Sequence, residues 1–367
     1  MRTFIDQELS ALAKNLEPIA GKLEGKTVLI NGAAGFLGNY FVGVLQHLNR
    51  TTFHTNPIHI IGLDNFITGV KDSPFFDAND PHLEFIIHDV RVPFETQRSV
   101  DYIMHAAGIA SPFYYAKYPL DTIAATIDGL KNTLEFARTK HPQGIIYFSS
   151  SEIYGDPHPE SIPTPETYRG NVSSTGLRAC YDEAKRLGET IATIHHRLYS
   201  LPVTIVRPFN VYGPGMKPDD RRVVPNFVTA ALEGRTIEIH NRGDQTRTFS
   251  YATDAVNGFF RVLLLGRPGE AYNIGSDHEE ISVLELAKRV EAAHGKPLDI
   301  KLAGYPEGYP VGDPTRRMPD LKKARTELGY DPKVVLHDGL VRTLRWYQLL
   351  REMQGAKMMN AVEMLSH

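Results

Sequence analysis

Tyr181 and Lys185 lie four positions apart in the run Ala179-Cys180-Tyr181-Asp182-Glu183-Ala184-Lys185-Arg186. On a helix such a pair shares one face, so the Lys185 ammonium can sit near the Tyr181 hydroxyl and favour its phenolate. A phenol brought towards neutrality can take a proton from a sugar hydroxyl while hydride leaves the same carbon. The chemistry requires a nicotinamide beside the pair. Without one, Tyr-x-x-x-Lys is a weak pattern that any exposed helix can show.

A cofactor site is legible between Lys26 and Asp64. Thr27-Val28-Leu29-Ile30 reads as a buried parallel strand, followed directly by Asn31-Gly32-Ala33-Ala34-Gly35-Phe36-Leu37-Gly38 and an apolar helix to about Leu48. Gly32, Gly35 and Gly38 permit a tight turn that brings backbone amides against a pyrophosphate at a helix N-terminus. Their Gly-x-x-Gly-x-x-Gly spacing resembles that of short-chain dehydrogenase/reductases. A second strand, Ile58 to Leu63, ends at Asp64, whose carboxylate can accept hydrogen bonds from adenosine ribose hydroxyls. A 2′-phosphate would meet that negative charge, so NAD is favoured over NADP.

The elements that must position these residues alternate strand and helix, which predicts an α/β fold, a doubly wound parallel sheet of Rossmann type with a smaller C-terminal α/β substrate lobe. Strands are expected at Thr27 to Ile30, Ile58 to Leu63, Leu83 to Ile87, Tyr102 to Met104, Ile145 to Phe148 and Val203 to Val206. Long helices are expected at Leu120 to Thr139 and Ala179 to Tyr199. The expected organisation is a helical extension over 1–25, an NAD-binding domain over 26–207, a mainly substrate-binding lobe over 208–352 with segments returning to the first domain, and a tail over 353–367. In the extension, Ile5, Leu9, Leu12, Leu16 and Ile19 recur at helical intervals and should pack on the body or on a neighbouring subunit.

Composition excludes several classes. The chain has 367 residues, 42% of them hydrophobic, and 40 basic against 43 acidic side chains, a balance that gives no bias towards nucleic acid. Its single cysteine, Cys180, rules out an internal disulfide framework, and no Cys/His spacing suggests a metal site. No long apolar span or signal-peptide pattern occurs, so a cytoplasmic protein with no membrane contact is expected.

The glycine motif, Asp64-Asn65-Phe66, His88-Asp89-Val90, His105-Ala106-Ala107, Tyr181-x-x-x-Lys185 and Arg207-Pro208-Phe209-Asn210 together resemble an extended short-chain dehydrogenase/reductase of the NAD-dependent epimerase/dehydratase group, from about Lys26 to Trp346. Ala110-Ser111-Pro112-Phe113-Tyr114-Tyr115, Ser151-Glu152-Ile153-Tyr154-Gly155-Asp156-Pro157 and Arg178-Ala179-Cys180-Tyr181-Asp182-Glu183 are most similar to the UDP-glucuronate decarboxylase, or UDP-xylose synthase, family. The resemblance implies NAD held by Gly32, Gly35, Phe36, Leu37, Gly38, Asp64, Asn65, Asp89, Val90, Ala106, Ala107, Tyr181 and Lys185. It also implies a nucleotide-diphosphate sugar, UDP-linked, held by Pro112, Tyr115, Ser151, Asn210, Arg222, Arg247 and Arg317, and a homodimer formed through the two long helices.

In the implied reaction Tyr181 is the base at the sugar C4 hydroxyl, Lys185 its electrostatic support and Ser150 the group that orients the hydroxyl. A C6 carboxylate beside a C4 ketone is a β-keto acid, and the enolate left by loss of CO2 needs hydrogen-bond donors or positive charge. Glu152 is implied to help with the sugar acid or with protonation at C5, and Arg317 to steady the carboxylate or enolate, with Arg316 a competitor. Epimerisation at C4 and 4,6-dehydration share the first step. Dehydratases of dTDP-glucose carry Asp-Glu where Ser151-Glu152 stands, whereas those of GDP-mannose carry Ser-Glu. A non-catalytic NAD sensor or scaffold is the alternative of another class; such proteins commonly lose the tyrosine and lysine retained here. Departures at Thr126, Asp128, Gly215 and the 167–175 loop bear on substrate choice rather than on C4 oxidation.

Overall fold

A computed structural model describes residues 1–304 and 314–365; Asp313, at the start of the segment leading to Arg317, lies outside the described residues, as does the end of the expected tail. The strands are β1 (Thr27–Asn31), β2 (His59–Asp64), β3 (Leu83–Ile87), β4 (Tyr102–His105), β5 (Gly144–Phe148), β6 (Val203–Pro208), β7 (Val211–Tyr212), β8 (Ile237–His240), β9 (Thr246–Arg247), β10 (Ser250–Tyr251), β11 (Ala271–Ile274), β12 (Ile281–Ser282), β13 (Ile300–Ala303) and β14 (Arg316–Arg317). The helices are α1 (Arg2–Ala20), α2 (Phe36–Thr51), α3 (Pro112–Lys117), α4 (Pro119–Lys140), α5 (Ala179–Tyr199), α6 (Val223–Glu233), α7 (Ala252–Leu265), α8 (Val283–His294), α9 (Lys322–Leu328) and α10 (Leu336–Leu365).

Seven parallel strands form the central sheet in the order β11-β6-β5-β4-β1-β2-β3. Because side chains alternate across a strand, β1 sends Val28 and Ile30 into the core shared with α1, α2 and α7, and Leu29 into the core under α4 and α5. The six expected strands are present, and β11 is a seventh that pairs with β6. Both long helices lie where the periodicity places them, α5 with the expected ends. On α5 the buried positions Tyr181, Ala184, Lys185, Gly188 and Ala192 recur at helical intervals, so one stripe carries the pair of interest towards the sheet.

The N-terminal stripe resolves onto the body of the chain. Ile5, Leu9, Leu12 and Leu16 are buried against α2 and α7, each burial stabilising by roughly 1.5–3 kcal/mol. Glu8 lies in the same contact, accepting from the Tyr251 hydroxyl at 2.7 Å. On α4, Leu130 and Leu134 belong to the core, whereas Ile123 is 40% exposed.

Beyond β6 the chain builds smaller sheets. β8 pairs with β13, and β9 lies between β12 and β14, with Arg247 and Arg317 register partners. This last pairing sets Arg317 beside the carboxyl edge of the large sheet.

Candidate active site

β1, β2 and β4 end at Asn31, Asp64 and His105, so the glycine turn and the acid meet at the carboxyl edge where α/β sheets bind ligands. Gly32 adopts φ +84°, and a Cβ there would lie 2.9 Å from the Ala107 backbone nitrogen; the turn accepts no side chain. Asp64 takes the Ala34 amide on Oδ2 at 2.9 Å and the Phe66 amide on Oδ1 at 2.7 Å. Burial pushes its carboxyl up, and these two amides pull it back down. A carboxylate oxygen can accept a second hydrogen bond, so Asp64 is tied to the turn and still able to receive ribose hydroxyls. Next along the edge, Asp89 is held down to about 2 by Arg91, with a further hydrogen bond from Asn65. A glycine cradle that a Cβ would fill, followed by this acid, fits a dinucleotide.

The cradle opens into a cavity of about 330 Å³ lined by Phe36, Leu37, Ala106, Pro112, Tyr115, Ser150, Ser151, Glu152, Tyr181, Lys185, Asn210, Arg222, Arg247 and Arg317, among others. Every expected substrate residue is on this wall. Gly32, Gly35, Gly38, Asp64, Asn65, Asp89, Val90 and Ala107 do not line it and lie around the ends of the first strands, and Val90 lines a small depression with Asn31.

Ser150 lies just past β5 and is hydrogen-bonded to Tyr181, whose ring stacks on Tyr115 at 5.2 Å between centroids. Burial pushes the Tyr181 phenol up to about 12; the Ser150 hydrogen bond opposes this, while Glu152 and Asp182 add to it. This corrects the expectation that Lys185 brings the phenol down. The Lys185 ammonium is 5.7 Å from the ring centroid and donates to the Phe148 carbonyl at 2.7 Å, and burial lowers its own pKa to about 8.

Glu152, in a 3-10 turn after β5, receives both Arg317 terminal nitrogens, at 2.8 Å on Oε1 and 2.6 Å on Oε2. Arg178 donates to the same Oε2 at 2.7 Å. Burial favours a neutral carboxyl, but Arg178, Arg317 and Arg247 outweigh it and hold Glu152 at about 2. The Nε of Arg317 is buried and has no hydrogen-bond partner among the described residues. Arg178 received no role from the sequence, although it opens the run through Glu183 that resembles the decarboxylase family.

The other substrate candidates have partners of their own. Asn210, at φ +40°, donates to the Thr248 carbonyl and accepts weakly from Arg317. Arg222 pairs with Asp220 at 2.6 Å, and Arg247 donates to the carbonyls of Thr246, Pro314 and Thr315. Arg316, the competitor of Arg317, pairs with Glu280 and is largely exposed. Arg169, in the loosely similar loop, is also exposed and does not line the cavity.

Residues 28–275 match the NAD dependent epimerase/dehydratase family. The chain is 39% identical over 315 residues to UDP-glucuronic acid decarboxylase 5 of Arabidopsis thaliana, covering 85% of this chain and 86% of that protein. Among solved structures it is similar to a dTDP-glucose 4,6-dehydratase from Streptomyces venezuelae with NAD bound, at 27% identity and a TM-score of 0.78, covering 89% of this chain and 98% of that one. A UDP-glucuronic acid 4-epimerase mutant from Bacillus cereus, in complex with NAD and UDP-4-deoxy-4-fluoro-glucuronic acid, matches at 26% identity and a TM-score of 0.71, covering 88% and 99%. With tyrosine and lysine in one cavity and the glycine cradle and its acid at the same sheet edge, the chain belongs to the NAD-dependent epimerase/dehydratase family and is an enzyme whose cofactor is NAD.

Proposed function

We propose that the enzyme converts UDP-glucuronate to UDP-xylose with loss of CO2. The observation that carries the reading is the placement of the Glu152–Arg317–Arg178 cluster in the same cavity as Tyr181, Ser150 and Lys185. Glu152 is one anion shared by two buried guanidiniums and in the field of a third, Arg247. Asp182, 3.7 Å from Arg178, offsets only part of that charge. The remaining positive charge suits an anionic sugar and its diphosphate. The 39% identity to a UDP-glucuronic acid decarboxylase supports the same substrate.

Bound along the glycine cradle, NAD supplies the hydride acceptor at C4 and later the donor, so the cycle is redox-neutral. Tyr181 takes the proton of the C4 hydroxyl, which Ser150 orients, and returns it when the ketone is reduced. The Lys185 ammonium, 5.7 Å from the Tyr181 ring centroid, offsets part of what burial costs the phenolate. With C4 a ketone, the C5–C6 bond breaks, CO2 leaves, and the electron pair becomes an enolate whose oxygen meets the Ser150 and Tyr181 hydroxyls. Arg317 offers its remaining N–H to the carboxylate before that bond breaks. A proton drawn from solvent then adds to C5, the step in which Glu152 is expected to assist.

Dehydration of dTDP-glucose fits less well, because Ser151 stands where those dehydratases have the acid that expels the C6 hydroxyl; dehydratases of GDP-mannose share Ser-Glu, and the assay below separates that reaction. The NAD-sensor reading is disfavoured by the retention of both Tyr181 and Lys185 in the cavity.

We also assign the apolar side chains that α4 and α5 leave in solvent, Leu120, Ile123, Leu187, Ile194 and Leu198, to a twofold dimer interface. Among the described residues no helix is long and apolar enough to cross a membrane. Incubation with NAD and a panel of UDP-glucuronate, UDP-glucose, dTDP-glucose and GDP-mannose, read by mass spectrometry, tests the reading. Loss of 44 mass units, on the order of one CO2, from UDP-glucuronate alone is expected; a 4-keto-6-deoxy sugar from any of the others would reject it.

A further inference from the structure

The reading above leaves open why Glu152, a carboxylate within the substrate cavity, does not itself take a proton from the sugar. A 4-keto sugar acid has two fates at C5. Either the C5–C6 bond breaks and CO2 leaves, or a base takes the C5 proton and the same enolate forms with the carboxylate still attached. The second fate leads to exchange or inversion at C5, and Glu152, on the cavity wall with Tyr181 and Ser150, is a carboxylate able to serve as its base.

Arg178 bears on that choice. It precedes α5, the Tyr181 and Asp182 amides both donate to its backbone carbonyl, and its side chain reaches Glu152 Oε2, the oxygen that also accepts from Arg317. Its guanidinium lies 5.8 Å from the ring centroid of Tyr115, which in turn stacks on Tyr181. Arg178 and Glu152 side chains are 7% and 16% exposed, so little water screens the pair. We infer that Arg178 is a positioning residue that commits the site to decarboxylation, by sharing the Glu152 carboxylate with Arg317 and so denying the C5 proton a base. The inference rests on the decarboxylase reading and adds to it the residue that sets product partition. Two guanidinium donors on one carboxylate stabilise the anion and so lower its basicity, with two of the three hydrogen bonds falling on Oε2, and burial makes any move away from them costly. With Arg178 gone, Glu152 keeps only Arg317, Oε2 loses one of its two donors, and the carboxylate becomes the stronger base. The proton then passes from C5 to Glu152, the C5–H electron pair moves into the enolate, and reprotonation from solvent-exchanged Glu152 completes the exchange.

The test is a partition measured in one incubation with NAD and UDP-glucuronate in D2O. Carbon dioxide released and deuterium at C5 of the unconverted UDP-glucuronate are read together for the wild type, Arg178→Met, Arg178→Lys and Arg178→Met with Glu152→Gln. In the wild type, release of CO2 with little exchange is expected; absence of CO2 there overturns the decarboxylase reading itself. For Arg178→Met the ratio of exchange to release should rise by about tenfold or more, with Arg178→Lys between it and the wild type and the double variant back at the wild-type level. A ratio unchanged in both single variants, whatever their rates or melting temperatures, overturns the role of Arg178. Should Arg178→Met fail to fold, Arg178→Lys carries the same test, because a ratio equal to the wild type there rejects the proposal.

Discussion

Arg317 grips Glu152 with both of its terminal nitrogens, at 2.8 and 2.6 Å, across the boundary between the large sheet and the sheets that follow it. Glu152 follows β5 and Arg317 lies on β14, so one ion pair fixes how two parts of the chain meet around the cavity. Arg317→Met should therefore reduce both stability and turnover. Breaking a buried pair costs about 3–5 kcal/mol when the other charge is stranded; here Arg178 still serves Glu152, so the lower end is expected in a urea unfolding curve. A variant as stable as the wild type would show that the pair is not held as described.

The same pair sets an acid dependence. The Glu152 carboxyl stands at about 2 in the folded chain against 4.5 as its ordinary value. A depressed carboxyl adds stability that is whole above the ordinary value and is lost as pH falls from about 4.5 through 2. Glu152→Gln should flatten the fall in stability across that window and leave the pH dependence near pH 7 unchanged. Chemical unfolding at a series of acid pH values reads the slope directly.

Lys185 runs the other way. Burial lowers it from 10.5 to about 8, so between those values the unfolded chain binds a proton that the folded chain does not, and stability rises with pH. Lys185→Met removes that burden below pH 8, offset in part by loss of the bond to the Phe148 carbonyl. Turnover should nearly vanish while the melting temperature at neutral pH holds or rises. A large loss of stability would mean that Lys185 is chiefly structural.

Much of this was readable before the fold. α5 starts and ends where its periodicity says, because its buried stripe and its C-terminal turn at Ser200 are local features. β11 was missed because four residues between Gly269 and Gly275 carry little pattern; pairing with β6 makes them a strand. Arg178 was missed for a related reason, since it meets Glu152 only where β5 and α5 converge in space. The Tyr181 phenol was expected to be lowered because a nearby lysine is visible in a sequence, whereas the burial that outweighs it is not.

Gly38 offers a test of the cofactor cradle that leaves the catalytic side chains alone. A Cβ at this position would lie 2.1 Å from the Gly32 carbonyl oxygen, so the turn must open to admit it. Gly38→Ala should weaken NAD binding by about 100-fold or more, equivalent to roughly 3 kcal/mol, as read by isothermal titration. Unchanged affinity would place the dinucleotide elsewhere.

The N-terminal helix is predicted to be part of the fold rather than an appendage. Leu12 is fully buried, and Leu12→Ala should cost about 2–5 kcal/mol of stability with little change in the KM for the sugar nucleotide. A thermal melt shifted by less than a degree or so would contradict the packing of α1 on α2 and α7.

The central claim is tested most directly by following the C6 carbon. UDP-glucuronate labelled at C6 is incubated with the wild-type enzyme and catalytic NAD, and labelled CO2 and UDP-xylose are quantified together. Equal amounts of the two, with no net NADH and with turnover falling by about 10² to 10⁴ in Tyr181→Phe, are the predicted result. Retention of the label in a UDP-hexuronate product, or no turnover of UDP-glucuronate by enzyme that binds NAD, would contradict the account.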